Sequence, residues 1–136
     1  MEKKYLAKII AIDEEGLQMI SACSAGAKVN VKNIKYLASN KVFLLSLERN
    51  KVETDQKNTK INSICRFDFV DNVKSKNIDQ KNKDFVLRLM TINYMKNKND
   101  YEINLQFNDN AHIILTTETI EARLEDQNEV NEQWKF

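Results

Sequence analysis

Three arginines are the side chains of this sequence best suited to hold a ligand. Arg49, Arg66 and Arg123 each stand in a stretch rich in apolar residues. A guanidinium presents five N–H donors in a planar fork that matches a carboxylate or a phosphate in bidentate fashion. If the three strands that carry them are neighbours, the three heads would converge and bind a small anion. The alternative is that each arginine pairs with a nearby acid at a sheet edge, and we favour this second interpretation because such pairs are common and nearly neutral in energy. The acids available for it are Glu48, Asp68 and Glu121.

No nucleophile with an activating base is recognisable. His112 is the one histidine of the chain and begins a predicted strand beside the Asn108–Asn110 turn, with Asp109 and Glu118 as the acids near it. One histidine cannot build a His-rich metal site, and a general base needs a partner that orients it. We expect His112 to be a turn or strand-edge residue.

The two cysteines, Cys23 and Cys65, are far apart and show neither a CxxC motif nor metal-ligand spacing. Each is expected to be a small buried hydrophobe of a protein in a reducing compartment. We therefore predict no catalytic residue, no metal and no cofactor, and a protein that is not an enzyme.

The acidic residues near the end of the chain are a second candidate site. They could act as paired acids or cation ligands, but an EF-hand-like spacing is missing, so a solvated face with Arg123 as ion partner is the better interpretation. The residues are Glu118, Glu121, Glu125 and Asp126.

Charge and hydropathy exclude some partners. The 21 Lys and Arg nearly balance the 20 Asp and Glu, so no global field attracts nucleic acid or an anionic membrane. No segment reaches the roughly 20 apolar residues of a membrane helix, and a cytoplasmic protein is expected. Binding of nucleic acid would require the exposed lysines to form one continuous face. The lysines in question are Lys51, Lys57, Lys74, Lys76, Lys96 and Lys98.

The elements that must position these residues are mainly strands. Period-two alternation predicts an α+β fold, an antiparallel meander of about seven strands that forms one domain over 1–136. The strands are expected over 4–12, 27–37, 41–49, 61–73, 85–95, 101–107 and 111–124, with polar loops at 51–60 and 74–84.

One helix is expected between the first two strands, with Asp13 as its N-cap and Gly26 near its C-terminus. The strand at 85–95 is apolar on both faces and is predicted to be central. A polar tail from about 127 ends in Trp134 and Phe136, which either dock on an apolar groove or fray. A bent half-barrel similar to a pleckstrin-homology barrel is the specific expectation.

The run Ile120-Glu-Ala-Arg-Leu-Glu-Asp126 resembles an alphaproteobacterial family known as domain of unknown function 2948. The resemblance also includes the segments 11–15, 43–49, 66–67 and 89–92. Arg49, Arg66 and Arg123 stand where the family pattern has arginine, but Asn50 and Val52 replace its aromatic residues. The resemblance implies no activity, cofactor or catalytic residue.

The function expected from these observations is a non-enzymatic binding module, acting on a protein partner through a sheet edge or by self-association. The alternative is a domain that binds a small molecule or anion through converging arginines. A pocket lined by two or more arginines would favour the alternative, and a flat apolar patch would favour association.

Overall fold

The computed structural model describes residues 6–50 and 60–127, which form ten strands and one α-helix. The helix is α1 (Glu14–Ser24). The strands are β1 (Lys8–Ala11), β2 (Lys28–Asn30), β3 (Ile34–Leu37), β4 (Val42–Asn50), β5 (Lys60–Phe67), β6 (Val70–Lys76), β7 (Val86–Lys96), β8 (Tyr101–Phe107), β9 (His112–Thr117) and β10 (Ala122–Asp126). The α+β class, mostly antiparallel with one helix after the first strand, is confirmed.

Helix α1 begins and ends where the sequence predicts. The Asp13 carboxylate accepts a hydrogen bond from the Gly16 N–H at 2.8 Å, which satisfies one of the free donors of the first turn. Gly26 follows the helix with a φ of +83°, a conformation that glycine adopts without the steric cost of a Cβ. Leu17 and Ile20 are buried and pack the helix against the sheet.

All ten strands belong to one antiparallel sheet. The hydrogen-bonded order is β1-β10-β5-β4-β2-β7-β8-β9-β6, and β3 pairs separately with β4. Strand β5 is followed by β6, and β9 is followed by β10. Because β5 pairs with β10 and β6 pairs with β9, both segments of the chain turn at one corner. Because the corner folds the sheet over itself, the side chains of its concave side form a single core between its two halves.

The expected number of strands is wrong because three predicted strands are each interrupted. A 3-10 turn at Val31–Asn33 separates β2 from β3. Phe69, in a left-handed conformation with a φ of 59°, separates β5 from β6. Four residues between β9 and β10 interrupt the last strand at the same corner. Period-two alternation continues across these breaks, so it could not reveal them.

Strand β7 lies in the middle of the sheet order, as predicted, but it is not buried on both faces. Leu87, Leu89 and Ile92 are buried, whereas Met90 and Met95 are 50% and 59% exposed. The bulge between Leu89 and Thr91 changes the register with β8. Phe69 was also expected to face the core; it is 42% exposed because of its position at the corner. The loop from 51 and the Trp134 and Phe136 tail lie outside the described residues.

Candidate functional site

Arg49 lies in the interior, in a network of charged and polar groups. The alternation Phe43, Leu45, Leu47 and Arg49 along β4 places all four side chains on the concave side of the sheet. The Arg49 guanidinium donates to both carboxylate oxygens of Asp126 on β10, and its Nη2 atom lies 3.0 Å from each oxygen. Both side chains are 0% exposed. Arg49 therefore has an internal partner and is not available to an external ligand.

Further hydrogen bonds hold the Asp126 carboxylate. The Ser63 hydroxyl on β5 donates to it at 2.6 Å and the Ala7 N–H at 2.8 Å. Burial raises the pKa of the Asp126 carboxyl, but the hydrogen bonds and the Arg49 charge outweigh burial and hold that pKa below its usual value. The network thus joins β4, β5 and β10 and the chain just before β1, which is a structural role.

Arg66 and Arg123 lie on the opposite, convex side of the sheet. They are directly opposite each other in the β5–β10 register, and Leu44 and Ile10 flank them in the same row. Arg66 donates to Asp68 through Nε at 3.0 Å, and its side chain remains 42% exposed. Within the described part of the chain, the Arg123 guanidinium has no hydrogen-bond or ion-pair partner. We call Arg66 and Arg123 the arginine pair.

The structure brings two of the three predicted arginines together and separates the third. Since residues of opposite parity point to opposite faces of a sheet, Arg49 cannot converge with the arginine pair. The expected partners also differ: Arg66 has Asp68 as expected, whereas Arg49 pairs with Asp126 and not with Glu48.

Asp126 was expected to be part of a solvated acidic face, and this expectation is wrong. It has the same parity as Ala122 and Leu124 on β10, so it points into the core with 7% exposure. That parity was the signal in the sequence that could have identified it. Glu118 is exposed, and Glu121 and Glu125 are half-buried. In residues 6–50 and 60–127, no three His, Cys, Asp or Glu side chains are grouped so that they could hold a metal ion.

Strand β1 is one end of the sheet and carries exposed apolar side chains. Ile10 lies in the same row as Arg123 on the convex side and is 56% exposed, and Leu6 and Ile12, which flank the strand, are 42% and 72% exposed. The Asp126 N–H donates to the Ala7 carbonyl, so alternation directs the backbone groups of Lys8 and Ile10 away from β10. These groups are therefore oriented to pair with another strand. We call the strand Lys8–Ala11, with the flanking residues Leu6 and Ile12, the β1 edge.

The other end of the sheet, β6, is built differently. A register shift between Val70 and Asn72 bulges the strand, and the exposed Lys74 and Lys76 follow along it. Bulges and lysines are devices by which sheet edges avoid pairing with other chains. Strand β6 thus has both a bulge and two lysines, whereas β1 has one exposed lysine, Lys8, next to the exposed apolar side chains.

The described surface includes a cavity, a groove and a cleft that could hold a ligand. A cavity of about 290 Å³ lies between β3 and β6, a groove of about 510 Å³ lies between α1 and β7, and a cleft of about 160 Å³ lies beside β2. None of these three is lined by an arginine. The predicted pocket of converging arginines is therefore not among them.

The remaining candidate residues have local partners or are buried. His112 begins β9, as predicted, and its ring nitrogens are 3.2 Å from the Asn104 side-chain oxygen and 3.1 Å from that of Asn110. Cys65 is buried, and burial raises its thiol pKa to about 12, which makes the thiolate scarce at neutral pH. Cys23 is half-buried on α1. Among the described residues, the His112 ring is hydrogen-bonded to the two asparagines and not to Asp109 or Glu118.

The exposed lysines do not lie together. Lys74 and Lys76 are on β6, whereas Lys96 and Lys98 are at the turn between β7 and β8. Lys51 and Lys57 lie outside the described residues. Within the described ranges, no helix has the length and apolar character needed to cross a membrane.

Comparison with known proteins gives one match. A family model described as "Protein of unknown function (DUF2948)" matches residues 7–135. No curated protein and no solved structure matches the chain. The family match spans nearly the whole sequence, including all three predicted arginines and both ends of the sheet. The chain therefore belongs to the DUF2948 family of proteins of unknown function.

Proposed function

We propose that the protein is a non-enzymatic interaction module that binds a strand of another protein along the β1 edge, a second copy of this chain being the first partner to test. The observation that supports the proposal is the contrast between the two ends of the sheet. The β1 edge carries Leu6, Ile10 and Ile12 beside one exposed lysine, Lys8, in a regular register, whereas the β6 edge is bulged and carries two exposed lysines. An added strand would extend the sheet by main-chain hydrogen bonds.

The apolar side chains of the β1 edge would supply part of the binding energy. Full burial of an isoleucine side chain contributes about 1.5–3 kcal/mol. Ile10 and Ile12 are 56% and 72% exposed, so covering each would contribute about 1–2 kcal/mol. In a two-fold symmetric pairing of two β1 strands each residue would count twice.

The arginine pair would add selectivity for an acidic partner. Arg123 lies opposite Ile10 in the register, so the residue of an added strand that pairs with Ile10 falls in the same row, about 10 Å from the Arg123 backbone and within reach of its long side chain. Asp68 neutralises Arg66 but not the directly opposite Arg123, so an incoming carboxylate would pair with Arg123. The preferred partner segment is therefore an extended strand with alternating apolar residues and at least one Asp or Glu.

The test compares two lysine substitutions at equally exposed apolar residues. Ile10→Lys places a charge on the β1 edge, and Met19→Lys does the same on α1, where the side chain is 55% exposed against 56% for Ile10. Both variants and the wild type are used to capture proteins from the native cell, and their masses in solution are measured by light scattering. We expect a partner, or a dimer mass, that is retained by Met19→Lys and lost by Ile10→Lys. Identical captured proteins and monomer masses for all three would contradict the proposal.

A second candidate function, binding of a small anion, is favoured by the arginine pair alone. Among the described residues, Arg123 has no hydrogen-bond or ion-pair partner. Arg66 pairs with Asp68, and its side chain remains 42% exposed, so it could also donate to an anion. Titration of phosphate into the 15N-labelled protein would shift the amide resonances around Arg66 and Arg123 in this case, and Arg123→Gln would remove the shifts. Shifts of equal size in the variant would contradict the second function.

The proposal includes finer expectations for fold, compartment and chemistry. The bend that both paired strands share at the corner supports a half-barrel of the pleckstrin-homology kind. The buried Cys65 supports a reducing, cytoplasmic location. The assignment of His112 and Cys65 to structural positions supports a protein without catalytic activity.

A further inference from the structure

The cavity between β3 and β6 lies where the sheet does not close. Among the described strands, β3 pairs with β4 alone and β6 with β9 alone, so no ladder joins β3 to β6 across the cavity that both strands line. The contact across the gap is made at one end, where the Tyr36 hydroxyl donates to the Val70 carbonyl at 2.9 Å. Beyond this contact the gap leads from the surface to the core.

The inner part of the cavity is apolar. Phe43 and Ile113 form its floor and are 1% and 3% exposed, which makes them part of the main core. Tyr36, Val73 and Ile78 form half-buried walls. An apolar ligand that entered the gap would therefore bury its surface against the core of the protein, as ligands do in the mouths of barrels.

The rim of the cavity is polar and carries one charge. Ser75 on β6 and Gln80 and Lys83 on the following loop line it, and no acidic residue does. The Gln80 side-chain nitrogen donates to the Ser75 oxygen at 2.7 Å, which leaves the Ser75 O–H able to donate outward. The Lys83 ammonium and the Ser75 hydroxyl thus provide donors for an anionic head group.

We propose that this cavity binds a small amphipathic carboxylate, with its apolar body on Phe43 and Ile113 and its head group at Lys83 and Ser75. The volume of about 290 Å³ corresponds to about ten water molecules at roughly 30 Å³ each. An aliphatic acid of about eight carbons fills this space. The site does not involve the β1 edge, so it stands independently of the interaction proposed above.

Octanoate is the probe for this site, with octylamine as a ligand of the same length and opposite charge. Each is titrated to about 5 mM into the 15N-labelled protein, because a ligand of this size binds in about the millimolar range. We expect octanoate to shift the amide resonances of Tyr36, Val73 and Ser75, and octylamine to bind at least threefold more weakly. Absence of shifts at these residues, or equal affinities for the two ligands, would overturn the proposal.

Two variants and one control assign the parts of the site. Lys83→Gln should weaken octanoate about three- to fivefold, a modest effect because Lys83 is exposed. Lys81→Gln removes another exposed lysine of the same loop that is not among the residues lining the cavity, and it should leave the affinity unchanged. Val73→Phe should fill the cavity and abolish binding while the spectrum remains that of a folded protein. Equal weakening by both lysine variants, or full affinity in Val73→Phe, would contradict the assignment.

Discussion

Replacing Asp126 with asparagine would remove the negative charge that neutralises Arg49 in the core. Arg49 donates to Asp126 through Nε at 3.1 Å and through Nη2 at 3.0 Å to each oxygen, and both side chains are fully buried. Removal of one member of a buried ion pair costs about 3–5 kcal/mol, because the remaining charge loses its favourable partner in a poorly solvated place. Since a domain of this kind is stable by about 5–15 kcal/mol in total, the variant would unfold at a much lower urea concentration.

The assay is urea unfolding at pH 7 followed by circular dichroism, for Asp126→Asn, Arg49→Met and the double variant Arg49→Met/Asp126→Asn. Each single variant should lose about 3–5 kcal/mol of unfolding free energy. The double variant should lose about 2–3 kcal/mol less than the sum of the two single losses, because each single variant already removes the interaction between Arg49 and Asp126. Arg66→Met, at an exposed ion pair, is the control and should cost about 0–1 kcal/mol.

The reasoning would be refuted if Asp126→Asn cost no more than the Arg66→Met control. It would also be refuted by additive losses in the double variant, since additivity would mean that Arg49 and Asp126 do not stabilise each other.

Three further predictions test other parts of the structure. The folded-state pKa of Asp126 lies below its unfolded value of about 3.9, so the Asp126 carboxylate stabilises the protein above about pH 4 and this stabilisation is lost as the pH falls further. Acid unfolding monitored by circular dichroism should show the loss in the wild type and not in Asp126→Asn. Gly16→Ala should destabilise the protein in urea despite the better helix propensity of alanine, because the new Cβ would lie 2.8 Å from the Ala11 Cα. Iodoacetamide should alkylate the half-buried Cys23 faster than the buried Cys65, and mass spectrometry of peptides measures both rates; faster labelling of Cys65 would contradict its burial.

Alternation predicted which side chains of β5 and β8 face the core, but not those of β7. Ile103, Leu105 and Phe107 are buried as expected, and so are Cys65 and Phe67. The strand breaks could not be predicted, because the chain has no proline and two glycines, and so lacks the residues that usually mark turns. A phenylalanine in a left-handed conformation at the corner has no recognisable sequence signal.

The sequence predicted the candidate site only in part, because a local pattern shows which face a side chain takes but not which strands are neighbours. Parity alone would have placed Arg49 on the concave side with Leu47 and Asp126 on the concave side with Leu124. Their pairing depends on the strand order, in which β5 separates β4 from β10, and that order is not encoded in any local pattern. Lys83 lies in a polar loop with no periodicity, so its place at the cavity rim also required the structure.

Amide hydrogen exchange at Lys8 and Ile10 tests the role of the β1 edge most directly. These two N–H groups point away from β10, whereas that of Ile9 points toward it. In the complex with its partner, or in a dimer, Lys8 and Ile10 should become protected at least tenfold relative to the isolated protein, while Ile9 changes little. A complex in which Lys8 and Ile10 exchange as fast as in the isolated protein would contradict binding by strand addition at β1.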